Sequence, residues 1–277
     1  MKSKIYLILL CFLSTVLSLK AQTISQEPTG ATFEQPQPFL YTVTTLNPAA
    51  RQWSLNYSGG YGQNTVTPVG FNGVDQNIAV MGYLGSRITM LASMGVGFGN
   101  NGNVQTIQQA EFLKDFIGGK SVTGFRFGTS LGLRREFTSD VIALTRVNAA
   151  YETLGWKLGA NVRFEKAFTA DRDNLDVITT VGIQRRLSGQ LFGGIEAVGQ
   201  DLEGLWDTEE AEGGARILVG PSLNFVPVAS RLSFALCVGP IIQATRSTLA
   251  LNDSAVRDLP LVNSGFTVKF NVGFRFQ

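Results

Sequence analysis

The chain has 277 residues, a formal net charge of +2 and no histidine. The absence of histidine removes the commonest general base and the commonest metal ligand, and the small net charge gives no general reason to expect nucleic-acid binding. Hydrophobic residues make up 44 %, charged residues 16 %, and glycine occurs 31 times. These totals fit both a soluble β-sandwich and a membrane-spanning barrel, so the pattern along the chain has to separate them.

Residues 1–21 are predicted to be a secretory signal peptide. Lys2 and Lys4 form a positive start, residues 5–19 form an apolar stretch, and Ala21 is a small residue suited to cleavage. An uncleaved membrane anchor is the alternative, but the apolar stretch is short of the roughly 20 residues that a spanning helix needs. One cysteine lies beyond this segment, so no internal disulfide is expected.

Residues 22–50 are predicted to be an extended, Pro-rich periplasmic lead-in without a core of its own. Pro28, Pro36, Pro38 and Pro48 occur there among Gln, Thr and Ser residues. No second linker and no fixed-period repeat follow, so residues 51–277 are predicted to form one domain.

From residue 51 onward, apolar residues recur at every second position. The clearest case is 155–166, where Trp156, Leu158 and Phe164 share one face while Lys157 and Arg163 share the other. About twelve such segments can be counted: 51–61, 75–84, 87–98, 104–113, 121–133, 139–151, 155–166, 175–187, 190–200, 214–225, 231–243 and 264–276. The fourth segment alternates least clearly and a further strand could lie within 38–46, so the count ranges from 10 to 14.

The connections and aromatic positions predict a barrel rather than a sandwich. Short links alternate with longer ones, as periplasmic turns and outer loops do in a bacterial barrel, and rings such as Trp53, Tyr61 and Trp156 fall near segment ends. A soluble sandwich also alternates, but the predicted secretion signal and strand lengths near 11 residues favour the membrane. The predicted fold is an all-β, transmembrane, antiparallel up-and-down barrel of about 12 strands. Closure of the sheet gives every backbone N–H and carbonyl group a hydrogen-bond partner, which lipid cannot supply.

With these features the chain resembles the outer-membrane β-barrel superfamily of porin-like proteins over nearly all of 51–276. The final "VGFRF" (272–276) is similar to the C-terminal strand that the barrel assembly machinery reads, although Gln277 follows the last Phe. The resemblance implies the outer membrane of a Gram-negative cell, with lipid and lipopolysaccharide as neighbours. "KAQ" (20–22) is similar to signal ends of Bacteroidota, and "LNPAA" (46–50) faintly resembles a segment of PorP/SprF-type barrels.

The inward face of this barrel is predicted to be basic. By the strand parity it carries Arg87, Arg126, Arg134, Arg146, Lys157, Arg163, Arg186, Arg216, Lys269 and Arg275, against Glu165 and Glu196. A lumen with this imbalance would attract anions. Pairing with the two glutamates, or positions at the rims beside lipid headgroups, is the alternative. Inward glycines either leave open space or ease the curvature of the sheet, and curvature is favoured.

The segment 200–214 is predicted to be an acidic outer loop. It gathers Asp201, Glu203, Asp207, Glu209, Glu210 and Glu212. Clustered carboxylates could bind Ca²⁺ or bridge cations held by lipopolysaccharide, because hard cations take oxygen ligands. The spacing does not match an EF-hand, so a solvated loop is favoured and no metal ligand is assigned.

Catalysis is not expected. Familiar barrel hydrolases use a histidine to activate a serine or a water, and the chain has none. The match to G-x-G-x-x-G at 97–102 lacks a following helix and is better explained as a hairpin loop. The leading hypothesis is a passive channel or binder for small, anionic solutes, without cofactor. The alternative is a non-conducting barrel that anchors or assists a partner in secretion or at the surface, reached through residues 22–50.

Overall fold

The computed structural model describes residues 37–45, 53–65, 69–100, 102–118, 123–137, 139–168, 175–205, 215–228, 230–244 and 264–276. All of them belong to one compact unit that spans Phe33–Gln277. The predicted signal peptide, and residues 22–36 and 46–50 of the predicted lead-in, lie outside the described residues, so the resemblance of 46–50 to PorP/SprF-type barrels stays a prediction.

Twelve antiparallel strands close into a barrel in which each strand pairs with its neighbours in the chain, and the last pairs with the first. The strands are β1 Trp53–Gln63, β2 Gly73–Gly85, β3 Ile88–Gly99, β4 Val104–Ile117, β5 Gly124–Arg135, β6 Val141–Glu152, β7 Trp156–Ala167, β8 Asp176–Ser188, β9 Leu191–Gln200, β10 Arg216–Phe225, β11 Leu232–Gln243 and β12 Gly265–Phe276. The predicted fold class and strand count are confirmed. The largest difference in strand ends is in β4, which continues to Ile117.

The closing pair joins β12 to β1 in register from Trp53↔Phe276 to Gln63↔Phe266. Closure leaves no strand edge unpaired, which is the condition for a sheet in lipid. Among the described residues no helix is both long and apolar enough to cross a bilayer.

The outward face of the barrel is apolar and exposed along the strands, including Ile78, Leu131, Val181 and Ile195. In water such a surface would be strongly unfavourable, because burial of apolar area is worth about 25 cal/mol per Å². The alternation of each strand therefore indicates a lipid-facing exterior and a filled interior. Aromatic rings mark both rims, as the sequence predicted: Trp53, Phe125, Tyr151, Trp156 and Phe276 near one end, and Tyr61, Phe98, Phe164 and Phe266 near the other.

The two ends of the barrel differ in their connections. At the short-turn end, β2 and β3 are joined by Ser86 and Arg87, both with positive φ (49° and 61°), as a two-residue hairpin turn requires. At the long-loop end, β9 is joined to β10 through 201–215, and β11 to β12 through 244–264. Arg87 was predicted to face inward; the structure instead places it in the turn, where its Nη1 donates to the Phe116 carbonyl at 3.1 Å.

A hydrophobic cluster lies inside the barrel in addition to the apolar exterior. It consists of Tyr41, Val69, Ile178, Val198, Leu218, Cys237 and Ile241. Five of these residues are inward positions of strands β8 to β11, while Tyr41 and Val69 come from segments outside the strands. The interior on this side is therefore packed rather than solvent-filled.

Candidate functional site: the barrel lumen

Residues 37–45, here called the lumen loop, lie inside the barrel. The sequence placed them in an extended periplasmic lead-in, because they precede the first strand and show no core pattern of their own. The structure differs because their backbone groups find partners on the barrel wall. Gln37 closes the loop on itself, since its side chain donates to the Thr44 carbonyl at 2.8 Å and accepts from the Thr44 N–H at 3.3 Å.

Inward polar side chains bind the backbone of the lumen loop at its middle. Glu196 Oε2 accepts hydrogen bonds from the N–H groups of both Leu40 and Tyr41, each at 2.9 Å. Asn161 accepts from the Val43 N–H at 2.8 Å and donates to the Val43 carbonyl at 3.0 Å. Hydrogen bonds to a carboxylate are each worth about 1.5–3 kcal/mol, so Glu196 is the strongest polar attachment of the loop.

The first residues of the loop are attached near the short-turn end. The Pro38 carbonyl accepts from Gln184 at 3.2 Å and from Asn224 at 2.8 Å. Asn224 is the penultimate residue of β10, on the side of the short turn to β11. Because Gln37 pairs with Thr44, both arms of the loop point towards this end.

Phe39 fits a notch made by two paired glycines. Gly159 of β7 and Gly182 of β8 are directly opposite in register. A Cβ on Gly159 would lie 3.0 Å from Phe39 Cε2, and one on Gly182 would lie 2.6 Å from Phe39 Cε1. These two glycines therefore provide space for a ring. By contrast, a Cβ on Gly239 would meet the Val219 carbonyl oxygen at 2.7 Å, so there close approach of the strands requires glycine.

Residues 69–72, which precede β2, fold into the long-loop end of the barrel. Val69 is buried in the interior cluster, and its carbonyl accepts a hydrogen bond from the Tyr41 hydroxyl at 3.2 Å. Phe71 packs against Phe137 of the β5–β6 loop with ring centroids 4.6 Å apart. Since two strands, β3 and β4, separate β2 from β5, this ring pair spans part of the mouth.

The predicted lumen residues lie on inward positions of the strands, and most are buried: Arg126, Arg134, Arg146, Lys157, Arg163, Glu165, Glu196 and Arg216. Lys269 lies over the Tyr41 ring at 5.5 Å and Arg275 donates to the Ser230 carbonyl at 2.8 Å. Arg186 is exposed near the short-turn end, over the Phe192 ring at 5.2 Å. Their contact with a solute stays a prediction.

Inward carboxylates offset many of these basic groups. Glu165 binds both Arg134, at 2.5 Å, and Arg163, at 2.7 Å, while Glu111 binds Arg146 at 2.9 Å. Further inward acids that the sequence did not include are Asp75, Asp115, Glu152 and Asp176, and Glu152 pairs with Arg126. The ten-to-two excess of basic residues is therefore not found in the structure. The same strand parity could have identified Glu111, but its segment alternates poorly.

A cavity of about 230 Å³ remains beside the lumen loop. The loop and the inward residues of β7 to β9 form one side, and β12 and β1 to β4 form the other. Three lining arginines, Arg134, Arg146 and Arg163, are the members of the ion pairs just described. The lumen is thus partly filled by the chain itself, with space left next to its more polar wall.

Most of the predicted acidic loop lies outside the described residues, namely Asp207, Glu209, Glu210 and Glu212. Glu203 belongs to a short 3₁₀ turn, Leu202–Leu205. Asp201 is buried, with a positive φ of 50°. Within the described part of the chain, no group of three or more acidic or cysteine side chains is placed to hold a metal ion.

Comparison with known proteins gives likeness of fold only. No family model matches the chain, and no curated protein matches its sequence. Among solved structures, KdgM porin is similar with a TM-score of 0.52 and 10 % identity over 81 % of this chain and 99 % of that one. NanC porin gives 0.54 and 8 % over 79 % and 98 %, and an outer-membrane channel of Pseudomonas putida F1 gives 0.53 and 8 % over 85 % and 98 %. The fold is thus that of outer-membrane β-barrel porins and channels.

Proposed function

We propose that this protein lies in the outer membrane and lets small solutes cross it, with passage limited by the lumen loop. The apolar, aromatic-rimmed exterior supports the membrane location. The likeness of fold to porins and channels supports the same function class. Lipopolysaccharide and the barrel assembly machinery are the surroundings and the assembly route that this location implies.

The observation that carries the proposal is the cavity beside the lumen loop, which polar and charged side chains line together with apolar ones. Its volume of about 230 Å³ corresponds to several water molecules, whose share of liquid volume is about 30 Å³ each. A barrel that served only as an anchor would gain stability by filling this space, since voids in a packed interior lose dispersion contacts. The loop is attached through hydrogen bonds, which can exchange with water when it leaves, and through the packing of Phe39 and Tyr41.

The expected anion preference is reduced by the ion pairs. Because Glu111 and Glu165 bind the arginines that line the cavity, little net positive charge remains there. We propose that small polar solutes are admitted with weak discrimination by charge. A reversal potential measured across a salt gradient tests this proposal. A strong preference for anions would contradict it and would support the anion-attracting lumen that the sequence predicts.

Conductance in a planar bilayer tests the proposed function, with Glu196→Gln as the informative variant. The substitution keeps the side-chain size, but it replaces a carboxylate that accepts two N–H groups by an amide. A loss of about 1.5–3 kcal/mol would raise the population of released loops by about 10- to 100-fold. We expect low conductance from the original chain and frequent larger openings from the variant. Silence of both proteins, with folding intact, would contradict the proposal.

The second candidate function is a non-conducting barrel that assists a partner. The hydrogen bonds that fix the lumen loop to β7, β8, β9 and β10 favour it, because they close much of one side of the lumen. A partner would bind at the short-turn end, through the residues that precede Gln37. Deleting residues 22–36 and losing a co-purifying protein, while the barrel still folds and stays silent, would support this function over the first.

A further inference from the structure

Neutral polar side chains form two neighbouring rows across one wall of the cavity. In the first row, Asn271 of β12 pairs with Ser58 of β1, which pairs with Asn77 of β2. In the second row, Asn56 of β1 pairs with Ala79, which leads through Ser93 of β3 to Gln109 of β4. All of these residues line the cavity. Directly opposite side chains on adjacent strands lie about 4.5–5.5 Å apart at Cβ, so the first row is continuous. Ala79 interrupts the second row, and Leu91 and Ile107 line the same wall of the cavity.

These side chains can both donate and accept hydrogen bonds. An amide provides two donors and an acceptor, and a hydroxyl provides one donor and two acceptor positions. A solute hydroxyl has the same dual character, so it can be matched at several points of the wall at once. A solute carboxylate could use only the hydrogen-bond donors of these side chains, and a solute ammonium group could use only their acceptors.

The three arginines that line the cavity, Arg134, Arg146 and Arg163, are held in ion pairs with glutamates. Arg146 binds Glu111, and Arg163 binds Glu165. Asp75 and Lys269 flank Gly60 from opposite sides in the cross-strand register. A charged solute would have to compete with these pairs and would be partly desolvated, which disfavours it.

The other side of the cavity is aromatic and apolar. Phe39 and Tyr41 of the lumen loop line it, together with Phe137 from the mouth. Aromatic faces pack well against the C–H groups of a compact, ring-shaped solute while hydroxyls on its rim reach the polar wall.

We propose that the cavity binds a small, uncharged solute rich in hydroxyl groups, of the size of a monosaccharide. The polar rows hold its hydroxyl groups, and the aromatic side holds its C–H faces. This inference deepens the proposed function, because it names the class of solute that enters the lumen.

Binding to the purified, refolded full chain is measured by isothermal titration with glucose as the uncharged probe, and with glucuronate and glucosamine as its charged counterparts. We expect saturable binding of glucose and at least tenfold weaker binding of either charged sugar. Tighter binding of glucuronate than of glucose, or the absence of saturable glucose binding in both the original chain and Glu196→Gln, would overturn the inference.

Two sets of variants place the binding at the polar rows. Gln109→Leu should weaken glucose binding at least tenfold, whereas Gln108→Leu, next to it on the outward face of β4, should leave it unchanged. Ser58→Ala combined with Ser93→Ala removes one hydroxyl from each row without adding bulk and should also weaken binding. Equal effects of Gln108→Leu and Gln109→Leu would contradict the assignment. Channel openings of Glu196→Gln in a bilayer, together with no saturable glucose binding by the original chain, would reject this inference alone and leave the proposed channel function supported.

Discussion

Asn161 binds Val43 through both of the backbone groups of that residue, accepting from its N–H at 2.8 Å and donating to its carbonyl at 3.0 Å. One side chain of the barrel wall thereby replaces the partner that a neighbouring strand would give to the lumen loop. The contact joins residues 118 positions apart in the chain. It explains how a segment without regular secondary structure is held inside the barrel, since buried backbone groups need partners.

The first prediction is that Asn161→Ala loosens the lumen loop without unfolding the barrel. The substitution leaves a partly buried N–H and a partly buried carbonyl without this partner, at a combined cost of about 1–3 kcal/mol. Hydrogen exchange at the Val43 amide should accelerate by about tenfold or more, because 1.4 kcal/mol corresponds to a factor of ten. Asn148→Ala is the matched control, since Asn148 is the inward cross-strand neighbour of Asn161. Equal acceleration in the control would argue against a specific attachment.

The second prediction concerns the notch that holds Phe39. Gly182→Ala places a methyl group against the ring, so it should destabilise the protein, and Phe39→Ala should cost about 3 kcal/mol through lost packing. In the double variant the methyl group has space, so the two costs should not add. We expect a coupling energy above about 1 kcal/mol from urea unfolding in detergent or lipid.

Gly239→Ala provides the control for this cycle, because its added methyl group meets the Val219 carbonyl rather than the ring. Its cost should be independent of Phe39. Additive costs for Gly182 and Phe39 would show that the notch does not position the loop.

The barrel could be predicted from the sequence because period-two alternation is a local property of each strand. Closure then follows from the need to pair every backbone group in lipid. The lumen loop could not be predicted in this way. Its hydrogen bonds come from Asn161 and Glu196, and its packing comes from glycines at Gly159 and Gly182, all more than 100 positions away. No local pattern in 37–45 reports these partners.

The charge balance of the lumen could not be predicted from the sequence for a different reason. Glu111 lies on β4, whose alternation is obscured by glutamines on both faces, and Asp75 and Glu152 lie at or near strand ends. The basic residues lie on strands whose apolar and polar residues alternate regularly, so the sequence identifies them as inward-facing. Pairing between strands, as between Glu111 of β4 and Arg146 of β6, depends on a register that the sequence does not display.

The third prediction is that Glu165→Gln changes both stability and ion selectivity. This carboxylate is shared by Arg134 and Arg163, and its loss leaves positive charge beside the cavity. Breaking a buried pair costs about 3–5 kcal/mol. In the Glu196→Gln background, reversal potentials should shift towards anions. Glu152→Gln, which removes the partner of Arg126 away from the cavity lining, should destabilise the barrel without this shift. Identical selectivity in the two variants would show that the ion pairs near the cavity do not control charge passage.

The fourth prediction tests the lipid-facing exterior with two leucines of equal exposure. Leu131 lies on the outward face of β5 and is 70 % exposed, while Leu154 lies in the short turn between β6 and β7 and is 71 % exposed. If both leucines faced water, Leu131→Arg and Leu154→Arg would change the free energy of unfolding by nearly the same amount. In a bilayer they differ, because an arginine within the apolar band costs about 2–4 kcal/mol while one near the interface costs about 0–1.

We therefore expect Leu131→Arg to lower the free energy of unfolding in lipid vesicles by about 2 kcal/mol or more relative to Leu154→Arg. Urea titration of the vesicle-bound protein, followed by the gel shift of folded barrels, measures both variants under the same conditions. The same comparison in a short-chain detergent micelle should give a smaller difference, because the micelle adapts to the charge. Equal stabilities in vesicles would mean that β5 does not face lipid, and the barrel would then have to be placed in water or against a protein partner.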